Sequence, residues 1–95
     1  MAQIEVNASE RDDRYECEVT VTEGRSETRH RVTLKKTDYE RLSGGGSSPE
    51  ELVTESFRFL LEREPKESIL RSFDLTVIGR YFPEYEREIK RRLGS

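Results

Sequence analysis

The stretch YECEVTVTEGRSETRHRVTLK, residues 15–35, decides the fold. Tyr15, Cys17, Val19 and Val21 alternate with Glu16, Glu18, Thr20 and Thr22. After Gly24 the period of two resumes, with His30, Val32 and Leu34 set against Arg29, Arg31, Thr33 and Lys35. Such alternation gives each strand one apolar and one wet face, as in an antiparallel sheet covered on one side. If Gly24-Arg25 is a two-residue loop, glycine at its first central position suits a type II′ hairpin. That loop sets Val21 against Thr28, Val19 against His30, Cys17 against Val32 and Tyr15 against Leu34. The apolar partners then share a face, and Glu18 meets Arg31 on the other. A four-residue loop would keep the faces and shift the partners.

Towards the N-terminus, Ile4 and Val6 alternate with Gln3 and Glu5, which predicts a short first strand before a polar loop over 7–13. Strand three, carrying Arg29, Arg31 and Lys35, is expected at the sheet edge, where charges discourage pairing with a further strand.

Towards the C-terminus the period changes. Thr37-Asp38-Tyr39-Glu40 has the spacing of a capping box and predicts a helical turn through Leu42. Gly44-Gly45-Gly46-Ser47-Ser48 is a flexible joint, and Ser48-Pro49-Glu50-Glu51 is a strong helix start. Leu52, Val53, Ser56, Phe57, Phe59, Leu60 and Leu61 form the broad apolar stripe of a core helix, ended by Pro65. A second helix is expected over 65–72, burying Ile69, Leu70 and Phe73. Asp74 is placed to cap a third, whose stripe runs Leu75, Ile78, Phe82, Tyr85, Ile89, Leu93. Pro83 interrupts that stripe, so the helix should stop at Phe82 and restart there.

The expected fold is therefore α+β: a three-stranded antiparallel β-meander followed by short helices packed on one sheet face. It forms a single domain over 1–95, with a β half to about residue 42, a joint at 43–48 and a helical half over 49–93.

Composition limits function. The 95 residues are 32% apolar and 39% charged, against ordinary shares of about 45–50% and 25%. A core this thin favours a second subunit, so a homodimer is expected. The net charge of −3 argues against a protein that coats nucleic acid with its whole surface. No segment approaches the ~20 apolar residues of a membrane span, and residues 1–8 lack the features of a signal peptide, so the expected location is cytoplasmic.

Cys17 and His30 lie diagonally on one sheet face, yet both read as structural: a small core thiol and a rim imidazole. Two such ligands cannot build a structural zinc site, which needs four. No carboxylate stands alone among apolar residues where burial would raise its pKa. The Gly44–Gly46 run lacks the Lys-Ser/Thr ending of a phosphate loop. The expectation is a non-enzymatic protein-interaction module with no cofactor, no metal and no small-molecule substrate, partnered by itself or another protein. The aromatic run near Pro83 marks Tyr81 and Tyr85 as interface residues. The alternative is a DNA-binding regulator or antitoxin-like protein with a helix-turn-helix over 66–82. Thr76, Arg80, Arg87, Lys90, Arg91 and Arg92 would be its contacts, although Asp74 at the turn would repel phosphate.

Residues 56–86, SFRFLLEREPKESILRSFDLTVIGRYFPEYE, resemble a segment of small prokaryotic proteins of uncharacterised function. The resemblance covers about a third of the chain and implies a bacterial or archaeal cytosolic protein. It implies no activity.

Overall fold

The hairpin pairs as expected. In the computed structural model, which describes residues 2–94, strand β2 (Arg14–Glu23) and strand β3 (Ser26–Lys35) set Val21 against Thr28, Val19 against His30, Cys17 against Val32 and Tyr15 against Leu34. Gly24 has φ 61°, and among the described residues no non-glycine residue has positive φ. Positive φ at the first central position alone is the pattern of a type II′ turn. Arg31 and Glu18 form an ion pair at 3.0 Å on the open face.

The first strand is longer than its apolar pattern. β1 (Gln3–Glu10) pairs with β2 along its whole length, from Gln3 opposite Thr22 to Glu10 opposite Tyr15. The predicted loop shrinks to residues 11–13, closed by the Arg11 amide donating to the Arg14 carbonyl at 2.8 Å. Asn7 and Ser9 read as loop residues, yet in this strand they fall on the wet face, where polarity is no obstacle.

The sheet also has a fourth strand, β4 (Ser72–Asp74), in the order β1-β2-β3-β4, and β4 runs parallel to β3. The expectation of three antiparallel strands is corrected accordingly. β3 is not an edge: its charged side chains stand off the sheet face and leave the backbone free to pair. The Arg31 amide donates to the Arg71 carbonyl at 2.7 Å, and the Leu75 amide to the Thr33 carbonyl at 2.9 Å. These bonds hold residues 71–75 extended. The helix predicted over 65–72 is therefore absent, and one 3-10 turn, Lys66–Ser68, remains.

A parallel pair needs a crossover connection. Here it consists of α1 (Lys36–Ser43), α2 (Pro49–Leu61) and the 3-10 turn. The Ser48 capping box forms, with Ser48 Oγ accepting from the Glu51 amide at 3.1 Å and Glu51 Oε1 from the Ser48 amide at 3.0 Å. The Thr37 box does not form, because α1 begins two residues earlier, on Lys35 as cap, with no side-chain bond. At Gly44, φ 66°, the left-handed conformation ends α1. After β4 come α3 (Val77–Tyr81) and α4 (Tyr85–Arg92), broken at Phe82-Pro83 as the proline requires. Asp74 accepts from the Thr76 amide at 3.0 Å in the turn before α3, rather than capping the helix itself.

All helices lie on the apolar sheet face and share its core. Cys17, Val21, Leu52, Phe57, Phe59 and Ile89 are completely enclosed. The other face carries alternating charges and threonines.

Candidate functional site

Leu70 and Tyr81 are the large apolar side chains left exposed among the described residues, at 47% and 68%. Leu70 was predicted to be buried by a second helix. With that helix replaced by extended chain, it points out while Ile69 points in. Tyr81 lies off the buried stripe, on the last turn of α3. Both border the same cleft, a cavity of about 440 Å³ with Leu60, Phe73 and Ile78 among its apolar walls.

One carboxylate stands in that apolar lining. Glu64 is half-buried just beyond α2, and its amide donates to the Leu60 carbonyl at 2.9 Å. Its carboxylate has no hydrogen bond or ion pair among the described residues, and burial pushes that carboxyl above the ordinary range. No sequence reading isolates it, since Glu62-Arg63-Glu64-Pro65 looks like an ordinary charged helix end. Its neighbours find partners: Arg63 Nε reaches Glu84 at 3.3 Å, and Glu62 takes Arg92 at 2.6 Å. Only the tertiary placement of Ser68–Phe82 opposite Glu64 isolates it.

Tyr85, the second expected interface residue, is fully buried. Its hydroxyl donates to Ser56 Oγ at 2.7 Å, and Ser56 donates to the Leu52 carbonyl at 2.7 Å. Burial raises the phenol's pKa, with the Ser56 bond partly opposing the shift. Tyr85 is therefore core, and Tyr81 alone of the pair can meet a partner.

The residues of the DNA-binding alternative are not brought together as a helix-turn-helix needs. A 3-10 turn and a three-residue strand occupy the place of its first helix, and α3 is five residues long. Thr76 bonds back to the Asp74 carboxylate through both its amide and its hydroxyl. Arg91 is bound to Glu88, and Arg92 to Glu62 and Glu88. Arg92 also has a packing role, its guanidinium lying 5.7 Å from the Phe59 ring centre. Arg80, Arg87 and Lys90 are exposed.

Cys17 and His30 do not address each other. Both imidazole nitrogens are engaged, Nε2 with Thr28 Oγ1 at 2.9 Å and Nδ1 with the Leu70 carbonyl at 2.7 Å. Nδ1 must donate to that carbonyl, so in the neutral ring Nε2 accepts from Thr28. Burial lowers the His30 pKa, against the Leu70 bond and with help from Arg71. Burial pushes the Cys17 thiol up to about 11, with a smaller contribution from Glu50. A thiol of that pKa is a poor nucleophile at neutral pH. Among the described residues no group of three or more His, Cys, Asp or Glu could hold a metal ion. No helix is long and apolar enough to cross a membrane among those residues.

Two consequences can be measured. Cys17→Ser should cost about 1 kcal/mol, typical of a core point change, and leave the cellular role intact. Loss of that role in a folded Cys17→Ser protein would revive a catalytic reading. His30 binds its proton less readily folded than unfolded, so its contribution to stability is present above the unfolded pKa of about 6.5 and erodes as pH falls below it. Urea midpoints at pH 7.5 and pH 5.0 should differ more in wild type than in His30→Gln. An equal difference would refute the assignment.

Comparison with protein-family models, curated proteins and solved structures yields no match, so function must be argued from the chain's own residues.

Proposed function

We propose that this chain is a non-catalytic interaction module whose cleft captures a short apolar and basic segment of a partner protein. The observation that carries the proposal is the convergence of Leu70, Tyr81 and the unpaired Glu64 on one cavity. Each is unfavourable in the free chain: two large apolar groups face water, and a carboxylate is partly stripped of it. A partner that places a bulky side chain between Leu70 and Tyr81 and a Lys or Arg on Glu64 relieves all three. Tyrosine is well suited to such a mouth, offering apolar area, a polar tip and few rotatable bonds. A volume of about 440 Å³ lies within the range of sites that enclose a large side chain or small ligand. Burial of Glu64 makes the site selective, because a partner without a cation would leave a desolvated charge unpaired.

Fluorescence anisotropy with a labelled Leu/Lys peptide and a matched Leu/Glu peptide tests this reading. The Leu/Lys peptide should bind, the Leu/Glu peptide should not, and Glu64→Gln should weaken binding by roughly tenfold, as expected when a charge-assisted bond is lost. Tyr81→Ala should weaken binding at least as much without lowering the melting temperature. Equal binding of both peptides, or indifference to Glu64→Gln, would remove the reading. Salt-dependent binding of a DNA duplex that fails in an Arg80/Arg87 double alanine variant would replace it with the nucleic-acid alternative.

A further inference from the structure

The two edges of the sheet differ. β4 offers three residues, whereas β1 offers eight, paired on one side only. β1 contains no proline and no lysine, and its register with β2 runs without a bulge. It thus lacks proline, lysine and a bulge among the devices that keep an edge strand from pairing, and Glu5 and Glu10 are its only charges.

Which backbone groups face out follows from the hairpin. A two-residue loop makes Glu23 and Ser26 exchange both hydrogen bonds. Val21, Val19, Cys17 and Tyr15 then direct their backbones at β3, and Thr22, Thr20, Glu18 and Glu16 direct theirs at β1. Their partners Gln3, Glu5, Asn7 and Ser9 turn towards β2. The same alternation accounts for the bonds of Arg31 and Thr33 to the β4 segment and of Arg11 to Arg14. Ile4, Val6, Ala8 and Glu10 are left with amides and carbonyls pointing out of the sheet. The side chains of Ile4, Val6 and Ala8 pack only partly against the core.

We propose that two copies of this chain join through their β1 edges, antiparallel about a twofold axis with Val6 opposite Val6 of the partner subunit, to make one continuous sheet. Only registers that pair outward-facing residues with one another are allowed, which leaves steps of two. With Val6 at the axis, Ile4 meets Ala8, Glu5 meets Asn7 and Gln3 meets Ser9 across the interface, while Glu10 falls opposite Ala2 beyond the end of the strand. Within the paired strands, therefore, no charge faces a like charge or an apolar group. The neighbouring registers are worse. One sets Glu5 against its own copy, and the other sets Ile4 against Glu10. Like charges directly opposite are destabilising. The axis passes through β1, at the opposite end of the sheet order from β4 and the cleft. Self-association through β1 therefore leaves Tyr81 and Glu64 free, and it places the dimer contact away from the C-terminal helical face where the aromatic run predicts it. The length of β1 is the reason: a short first strand would have offered too little edge.

Sedimentation velocity over a hundredfold range of concentration tests the proposal. Wild type should approach twice 11.2 kDa at the upper end. Ala8→Pro removes an amide that faces away from β2, so it should give a folded monomer with an unchanged circular dichroism spectrum. Asn7→Glu places a carboxylate opposite Glu5 twice per dimer and should weaken association about tenfold. Adding Glu5→Lys should restore it, while the contact with Glu18 inside the chain is the same in both variants. A constant mass near 11.2 kDa in wild type overturns the proposal. So does a dimer indifferent to Asn7→Glu, or one dissolved by Tyr81→Ala instead. Should Ala8→Pro fail to fold, the charge pair decides alone.

Discussion

Tyr85→Ala should unfold the protein or leave it barely folded at room temperature. The ring is fully buried at the start of α4, packed edge-on against Phe59 with centroids 5.3 Å apart. Aromatic truncations in a core cost about 3–5 kcal/mol, against a typical domain stability of ~5–15. A thin core puts this chain near the lower end. The cavity cannot close easily, because Phe59 is already held by Arg63, whose guanidinium lies 3.5 Å from the ring centre, and by Phe82 at 5.8 Å. Tyr85→Phe separates ring from hydroxyl. It keeps the packing, leaves Ser56 without its donor, and should cost about 1 kcal/mol. Urea titrations that place Tyr85→Ala within 1 kcal/mol of wild type would show that α4 does not dock as described.

Leu60→Ala should lower stability by about 2–3 kcal/mol, the lower half of the range for such truncations. Leu60 is 4% exposed in the broad stripe of α2, but it also forms a wall of the cleft. The space it vacates therefore opens onto an existing cavity, and water can enter where a sealed core would stay empty. For a domain of this size, that loss corresponds to a fall of roughly 10–20 °C in melting temperature. The same variant enlarges the proposed binding site, so a folded Leu60→Ala protein should bind a bulkier apolar probe better than wild type does. A melting temperature within a few degrees of wild type would mean that Leu60 does not carry the core at this point.

The two stability variants and the surface variants make different demands. Tyr81 is two-thirds exposed, so its removal should leave the melting temperature unchanged. Tyr85, four residues on, should behave in the opposite way. Sequence alone pairs them as neighbours in an aromatic run. They part because the chain breaks at Phe82-Pro83, and the restarted helix turns Tyr85 inwards.

Local information carried the hairpin, its register, the capped start of α2, the width of its buried stripe and the break at Pro83. In each case the decisive terms are short-range: a glycine with positive φ, a serine within reach of its own helix, a ring that excludes an amide, or a side-chain period matching one face. Tertiary structure decided β4, the length of β1 and the candidate site. Ser72-Phe73-Asp74 is too short to show a period, and it is extended because β3 presents backbone groups that need partners. Asn7 and Ser9 become strand residues because β2 lies alongside them. Glu64 resembles any other carboxylate at a charged helix end, and Leu70 any other core residue. What distinguishes them is the extended path of residues 69–74 opposite the end of α2. That path turns Leu70 outwards and strips Glu64 of a partner, through bonds between residues some forty positions apart in the chain, as between His30 and the Leu70 carbonyl.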